Sequence, residues 1–258
     1  MDISQKDKTP CTNKKNICSP VDVLDSVATE LDISSKNPNY IVNKAKKILK
    51  CNDEICILEN MNHKIDTNNI VNKYFKPDGP RMTTDLLSNF NIDDVLAQYS
   101  DDNPKFYHVF YQMIDFDVVK SELATMDIRK ILLRYDSLGV VLNTDTSDGR
   151  GIHWFCIYCD LKTRPISLEY FNSSGNLPVP EIHAWLVKTK ELLINSNIPC
   201  DIVIASRIRH QQDTDTECGP YSLYYIWSRL NGVDHSKFDE KRIPDEKMIE
   251  FRQVLFRK

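Results

Sequence analysis

Apolar residues at helical spacing characterise the first part of the chain. Residues 1–18 are polar and lysine-rich, and two segments follow that open with a proline after Ser19 and after Asn37. A serine or asparagine before proline is typical of a helix start, because the polar side chain caps a backbone N–H and proline fits the first turn. The apolar positions at helical spacing are Val21, Leu24, Ala28 and Leu31, and then Ile41, Ala45, Ile48 and Leu49. Two shorter helices are predicted near 56–58 and 70–75.

The pattern changes after Gly79, where strands alternate with helices. Helices are predicted over 92–99, 121–133 and 180–194, and from Gly219-Pro220 onward. Apolar runs predict strands at 138–142, 153–161, 166–171 and 202–205. A turn at 162–165 joins the second and third of these strands as a hairpin. This arrangement predicts an α+β fold, with a central mixed or mostly antiparallel sheet flanked by helices.

Glycine usage divides the chain into two regions. All seven glycines lie at or after Gly79, and residues 1–78 contain no arginine. The turn signal Pro77-Asp78-Gly79-Pro80 coincides with this change in composition. We therefore predict an N-terminal helical arm over 1–78 and a separate core over 79–258. The arm is interpreted as a packing or partner surface rather than a catalytic region.

Charge and composition exclude several classes of protein. The 33 Lys and Arg residues against 37 Asp and Glu residues give a net charge of −4, which argues against dedicated nucleic-acid binding. No apolar run approaches the ~18 residues of a membrane span. The start lacks the apolar stretch of a signal peptide, so we expect an intracellular chain with reduced cysteines. Cys156 and Cys159 lie three apart on a predicted strand and so face opposite sides, and no metal site is predicted.

The segment that carries the most specific chemistry runs from Gln211 to Tyr221. Cys218 falls where a polar loop meets a helix start, and there the free N–H groups and the helix dipole favour a thiolate. Gly219 allows a substrate carbonyl to come close, and a glutamine in the preceding loop can donate to an oxyanion. The same segment is also compatible with an incidental cysteine at a helix start.

A nucleophilic thiol requires a base, and the base requires an orienting group. His153 begins an apolar strand after a glycine-rich turn, and Trp154 beside it can shield the site. Asn172 ends the next strand, so pairing of the two strands would let it accept the ring N–H of His153. The other histidines are His63, His108, His183, His210 and His235. Of these, the two beside the cysteine helix are expected to be surface residues.

The chain order His153-Trp154, Asn172, Gln212 and Cys218-Gly219 resembles the Ulp1-like and adenain-like cysteine proteases, the SUMO-protease clan. Papain-type enzymes have the opposite order, with the cysteine first. The similarity extends over about 80–258 and is most specific at 169–176 and 208–223. It is strongest to the polyprotein-processing proteases of African swine fever virus and related large DNA viruses. The arm is only weakly similar.

The resemblance implies a role for each matching residue. Cys218 would be the nucleophile, His153 the general base and acid, and Asn172 the group that orients the imidazole. Gln212 would donate to the oxyanion together with the Cys218 N–H, and Gln211 is the adjacent alternative. Trp154 and Gly219 would contact the substrate. No metal or organic cofactor is implied.

The resemblance also implies a substrate. It indicates a cysteine endopeptidase that forms an acyl-enzyme and cleaves structural polyproteins after Gly-Gly, at Gly-Gly-Xaa sites, during virion maturation. Such an enzyme would act at viral assembly sites in the host cytoplasm and in the virion. Two alternatives remain: a protease that removes SUMO-like or ubiquitin-like modifiers, and an inactive module that holds a glycine tail.

Overall fold

The computed structural model describes residues 17–82 and 84–257, which divide into two compact units. The first unit contains the described residues up to Gly79 together with 255–257, and the second runs from Pro80 to Val254. Residues 255–257 lie in the first unit because the Arg257 guanidinium pairs with the Asp78 carboxylate at 2.9 Å and the Phe256 ring packs on Gly79. Most of the predicted polar tail lies outside the described residues.

The described part of the first unit is helical. Its elements are α1 (Val21–Glu30), α2 (Pro38–Leu49), α3 (Glu54–Asn60) and α4 (Thr67–Tyr74). Asn37 caps α2 as predicted, its side chain accepting from the Tyr40 N–H at 3.2 Å. The prediction that Val21 lies on the buried face of α1 is wrong. Val21 is 64% exposed, because the helix buries Val23 and Val27 instead.

A disulfide in this unit contradicts the expectation that the cysteines are reduced. Cys51 follows the end of α2 and Cys56 lies in the first turn of α3, and the tight turn between the helices brings their Cα atoms to 5.5 Å. This is a separation that a disulfide can bridge. Cys18 is likewise disulfide-bonded. The expectation rested on cellular compartment alone, which carries no information about this local geometry.

The second unit has the predicted α+β architecture. Its strands are β1 (Phe106–His108), β2 (Gln112–Met113), β3 (Ser137–Asn143), β4 (Trp154–Asp160), β5 (Ile166–Phe171) and β6 (Cys200–Ile204). Its helices are α5 (Asn89–Asp102), α6 (Glu122–Thr125), α7 (Ile128–Leu132), α8 (Pro180–Asn195), α9 (Cys218–Leu230), α10 (Lys237–Glu240) and α11 (Asp245–Leu255). The predicted single helix over 121–133 is wrong, because Asp127 accepts from the Arg129 N–H and starts α7 as a new helix.

The six-stranded sheet is mixed, which confirms the predicted fold class. Its order is β1-β3-β4-β5-β6, and β2 also pairs with β3. The hairpin β4–β5 and the pair β3–β4 are antiparallel, whereas β1, β2 and β6 join their neighbours in parallel. Apolar residues of β3, β4 and β5 form the main core together with α8. Helix α9 packs against β4, so its first residue comes to the end of the sheet where β4 begins.

A buried polar network fixes α9 on the sheet. The Glu169 carboxylate of β5, fully buried, accepts from the Arg229 guanidinium at 2.8 Å and from the Tyr225 hydroxyl at 2.6 Å. The Tyr225 ring also stacks on Phe171, with centroids 4.6 Å apart. Because a buried carboxylate requires such partners, this network specifies how α9 lies against β5.

Candidate active site

His153 and Asn172 meet at the open end of the β4–β5 hairpin. Cys156 pairs with Phe171 in the antiparallel ladder, so the residues just beyond the two strand ends lie side by side. The Nε2 atom of His153 lies 2.8 Å from Oδ1 of Asn172. The structure therefore brings together the two residues whose pairing the sequence suggested.

The contacts of Asn172 determine which nitrogen of the His153 ring carries the proton. The backbone N–H of Ser174 can only donate, and it lies 3.0 Å from the Asn172 Oδ1 atom, which is therefore the acceptor. The amide nitrogen of Asn172 donates to the Tyr170 hydroxyl at 3.0 Å, in agreement with this orientation. Nε2 of His153 must then be the donor, and Nδ1 keeps a lone pair that can accept a proton.

Cys218 is the first residue of α9 and is buried, with 1% of its surface exposed. Burial raises the pKa of its thiol, although hydrogen bonds from the backbone N–H groups of Trp154, Gly219 and Cys218 itself oppose this effect. The expectation of a lowered thiol pKa is therefore wrong for this structure, because desolvation outweighs the helix N-terminus. Burial likewise lowers the pKa of His153, against a smaller opposing effect of its hydrogen bond to Asn172. Both directions favour an uncharged thiol and an uncharged imidazole.

Trp154 connects the cysteine to a neighbouring groove. Its backbone N–H contacts the Cys218 thiol, and its indole N–H donates to the Leu87 carbonyl at 3.0 Å. The Leu87 side chain in turn packs on Gly219, where an added Cβ would lie 3.0 Å from Leu87 Cδ1. The edge of the Tyr111 ring meets the Trp154 ring at a centroid distance of 6.2 Å. Large apolar side chains are thus closely packed around Gly219, the residue that follows Cys218.

A groove lined in part by Leu87 and Trp154 has a volume of about 450 Å³. Leu87 and Trp154 form its wall nearest Cys218, while Leu86 and Ile152 lie at its exposed rim. The remaining lining residues are Ser88, Asn89, Tyr111, Met113, Asn143, Ser147, Gly149, Arg150 and Gly151. A cleft of this size accommodates a peptide segment or a small ligand.

The two candidate oxyanion glutamines have their side chains engaged elsewhere. Gln212 is exposed, and its amide nitrogen donates to the Arg209 carbonyl at 3.2 Å. Gln211 is buried, accepting from the Ser173 hydroxyl at 3.0 Å and donating to the Thr214 carbonyl at 2.8 Å. The backbone N–H groups of Cys218 and Gly219, at the start of α9, lower the pKa of the thiol.

Helix α11 holds the loop that leads to Cys218. This role of the helix was not predicted from the sequence. One carboxylate oxygen of Asp245 accepts from the backbone N–H groups of Gln212, Asp213 and Thr214, at 3.2, 2.7 and 3.1 Å. Arg252, further along α11, forms a buried ion pair with Glu217 at 2.8 Å. Since 31 or more residues separate these partners along the chain, only the tertiary fold shows that they belong to the site.

The expectation of a surface position is wrong for His210. This side chain is fully buried, accepts from the Ile243 N–H at 3.0 Å and lies 2.9 Å from the Ser206 hydroxyl. Burial lowers its pKa to about 4. Its two ring nitrogens are therefore occupied in a structural role.

The described residues form neither a metal-binding cluster nor a membrane-spanning helix. No group of three or more His, Cys, Asp or Glu side chains is placed to hold a metal ion in 17–82 and 84–257. Over the same residues, none of the helices has the length and apolar character needed to cross a membrane.

Comparison with known proteins agrees with this geometry. Residues 91–258 match the Ulp1 protease family, C-terminal catalytic domain. A cysteine protease of African swine fever virus is 36% identical over 233 residues, which is 82% of this chain and 85% of that protein. A counterpart from another isolate of that virus, named a SUMO-1 cysteine protease, has the same identity and coverage. The crystal structure of the African swine fever virus protease superposes with a TM-score of 0.80 at 30% identity, covering 96% of both chains.

These similarities confirm the resemblance seen in the sequence, and they extend over most of the chain. The chain belongs to the Ulp1 family of cysteine proteases and is a hydrolase.

Proposed function

We propose that this protease cleaves viral structural polyproteins after Gly-Gly, at Gly-Gly-Xaa sites, during virion maturation. The observation that carries the proposal is the His153–Asn172 hydrogen bond of 2.8 Å beside Trp154, whose backbone N–H contacts the Cys218 thiol. The proposed place of action is the viral assembly site in the host cytoplasm and the virion.

In the proposed reaction, Nδ1 of His153 takes the proton of the Cys218 thiol as the sulfur attacks the scissile carbonyl carbon. The resulting imidazolium then gives this proton to the leaving amine nitrogen, the C–N bond breaks and a thioester remains. Water attacks the thioester, His153 takes one of its protons and returns it to the departing sulfur. Since burial favours the neutral forms of both residues, proton transfer accompanies the attack.

Asn172 orients the imidazole throughout this sequence. Its Oδ1 atom holds Nε2–H and thereby keeps Nδ1 unprotonated, so that Nδ1 is the ring atom proposed to accept the proton of the thiol. An uncharged amide stabilises the imidazolium less than a carboxylate would. Asn172 is therefore proposed as a positioning group rather than as a source of electrostatic stabilisation.

The developing oxyanion is proposed to accept from the backbone N–H of Cys218 and from a glutamine of the preceding loop. Gln212 remains the proposed side-chain donor, with Gln211 as the alternative. In the absence of substrate the Gln212 amide is exposed and held by one hydrogen bond to Arg209, so it can turn toward the site at small cost. Gln211 would have to give up two hydrogen bonds inside the protein to do so.

The proposed preference for glycine is supported by the close packing of Trp154, Leu87 and Gly219 beside Cys218. A Cβ at Gly219 already meets Leu87 at 3.0 Å, and Leu87 is held to the Trp154 indole through its carbonyl. Substrate residues that lie beside these groups must therefore be small. A Gly-Gly pair satisfies this requirement and has no side chain to exclude.

The proposal is tested by incubating the purified protein with a Gly-Gly-Ala peptide and with its Ala-Ala-Ala counterpart, using Cys218→Ser as the control. We expect cleavage after the second glycine only, and none by the variant. Cleavage of both peptides at similar rates would contradict the glycine preference. A peptide left intact by a protein whose Cys218 also fails to react with a thiol reagent would favour the inactive glycine-binding module.

A second candidate is removal of a SUMO-like or ubiquitin-like modifier, because a viral relative is named a SUMO-1 cysteine protease. Such an enzyme would recognise a folded modifier as well as its glycine tail. A reporter that carries SUMO upstream of the scissile bond distinguishes the two functions. Turnover of this reporter without turnover of the short peptide would favour the deconjugase.

A further inference from the structure

A buried ion pair lies directly before the cysteine. Arg252 of α11 donates through Nε to Oε2 of Glu217 at 2.8 Å and through Nη2 to Oε1 at 3.0 Å, and both side chains are fully buried. The same guanidinium donates to the carbonyl oxygens of Thr216 at 3.1 Å and Pro80 at 3.3 Å. Glu217 is the residue that precedes Cys218, at the start of α9.

Folding stability alone gives little reason for such a pair. Two charges lose their hydration on burial, and well-packed apolar side chains often replace a buried ion pair without loss of stability. The pair stands out instead by its position. Glu217 directly precedes Cys218 in the chain, and its carboxylate raises the pKa of the thiol, an effect smaller than that of burial. The other titratable group at the site is the imidazole of His153, at the start of β4.

We propose that Arg252 is a positioning residue of this protease, which holds the segment entering α9 and cancels the negative charge that Glu217 would otherwise place beside the Cys218 sulfur. This inference rests on the proposed role of Cys218 as the nucleophile. The guanidinium has the required geometry, since its planar fork binds both carboxylate oxygens and still reaches two backbone carbonyls.

The charge part of the proposal predicts opposite effects for the two partners. Arg252→Met leaves the Glu217 carboxylate unpaired, which disfavours the thiolate, whereas Glu217→Gln leaves the guanidinium unpaired, which favours it. The rate of alkylation of Cys218 by iodoacetamide at pH 7.5, followed by mass spectrometry of its peptide, should fall about threefold or more in the first variant and rise about threefold or more in the second. The double variant should return close to the wild-type rate.

The positioning role of Arg252 is tested separately with the variant Arg252→Lys. Lysine keeps the positive charge but cannot bind both carboxylate oxygens and two carbonyls at once. We expect alkylation of Cys218 to stay near the wild-type rate while kcat/KM for the Gly-Gly-Ala peptide falls about tenfold, with kcat carrying most of the loss.

A matched control is Arg242, which pairs with Asp213 at 2.9 Å and donates to the His210 carbonyl at 2.9 Å. Arg242 supports the same loop, but its ion pair with Asp213 is exposed and lies away from the sulfur. Arg242→Met should therefore leave the alkylation rate of Cys218 unchanged. Far-ultraviolet circular dichroism and thermal unfolding show which variants are folded. If Arg252→Met is not folded, Glu217→Gln and the double variant still test the charge effect.

Changes in alkylation rate of the same sign in Arg252→Met and Glu217→Gln, or no change in either, would overturn the charge role. Full peptide turnover by Arg252→Lys would overturn the positioning role. Because alkylation reports on the thiol without any substrate, opposite shifts in a protein that leaves the Gly-Gly-Ala peptide intact would support the electrostatic inference and refute the proposed function instead.

Discussion

Replacement of Asn172 by alanine tests whether this residue acts by orienting His153. The variant removes the acceptor that lies 2.8 Å from the His153 Nε2 atom, while it leaves the thiol and the imidazole in place. A hydrogen bond to a group that becomes charged in the reaction contributes about 1.5–3 kcal/mol. We therefore expect kcat/KM to fall roughly 10- to 150-fold.

The comparison variant is His153→Ala, which removes the base itself and should lower kcat/KM on the order of 10⁴-fold. Ser174→Ala is the matched control, since it deletes a hydroxyl that donates to the Asn172 Oδ1 atom at 2.8 Å without touching the imidazole. Its effect on kcat/KM should stay within about threefold, equivalent to ~0.6 kcal/mol. The assay is initial-rate hydrolysis of the Gly-Gly-Ala peptide at pH 7.5.

The stability of each variant must be measured beside its activity. Asn172 also accepts from the Ser174 N–H and donates to the Tyr170 hydroxyl, so Asn172→Ala should lower the free energy of unfolding by about 1–3 kcal/mol. Assays at a temperature where the variant is fully folded separate this effect from the loss of activity. Equal losses in Asn172→Ala and His153→Ala would refute a purely orienting role. An unchanged kcat/KM in Asn172→Ala would refute the reasoning altogether.

Three further changes test other parts of the structure. Cys218→Ala should abolish peptide turnover yet shift Tm by only a few degrees, because the helix start keeps its backbone hydrogen bonds; a large drop in Tm would mean that the thiol is needed for packing. Gly219→Ala should lower kcat/KM while changing the free energy of unfolding by only ~1 kcal/mol, since the better helix propensity offsets part of the contact with Leu87; unchanged turnover would show that the close packing at Gly219 does not limit the substrate. His210 has a pKa of about 4 in the folded state against about 6.5 when unfolded, so its contribution to stability is complete above pH 6.5 and is lost as pH falls toward 4, on the order of 3 kcal/mol in total. The free energy of unfolding of His210→Gln should lack this part of the pH dependence, and identical curves would contradict the assignment.

Local patterns were enough to predict the sheet and the helix that carries Cys218. Strands β3 and β4 are nearly continuous apolar runs because both faces of the sheet are covered, and the hairpin turn between β4 and β5 has its own sequence signal. Once those two strands pair, their register brings His153 and Asn172 together. The short strands β1 and β2 were missed because three and two residues are too few to show a period.

The features that sequence reasoning missed depend on contacts between distant residues. The helical period over 121–133 continues through Asp127, and only the hydrogen bond from Arg129 shows that a new helix begins there. The ion pair of Glu217 with Arg252 leaves no local signal, because each residue resembles an ordinary exposed charge on a polar loop or helix. The pKa of Cys218 depends in the same way on how deeply the folded chain buries the helix start.

The several contacts of Trp154 restrict how such an enzyme can change its specificity during evolution. The Trp154 backbone contacts the thiol, its indole N–H binds the Leu87 carbonyl, and its ring lines the groove. A substitution of Trp154 therefore alters both the reaction and substrate recognition. The groove rim has no such constraint: Ile152 is 71% exposed, and Arg150 forms no ion pair with any other residue that the structure describes. Selection for a new cleavage sequence, in nature or in the laboratory, is therefore expected to accumulate changes along the rim while Trp154 stays constant.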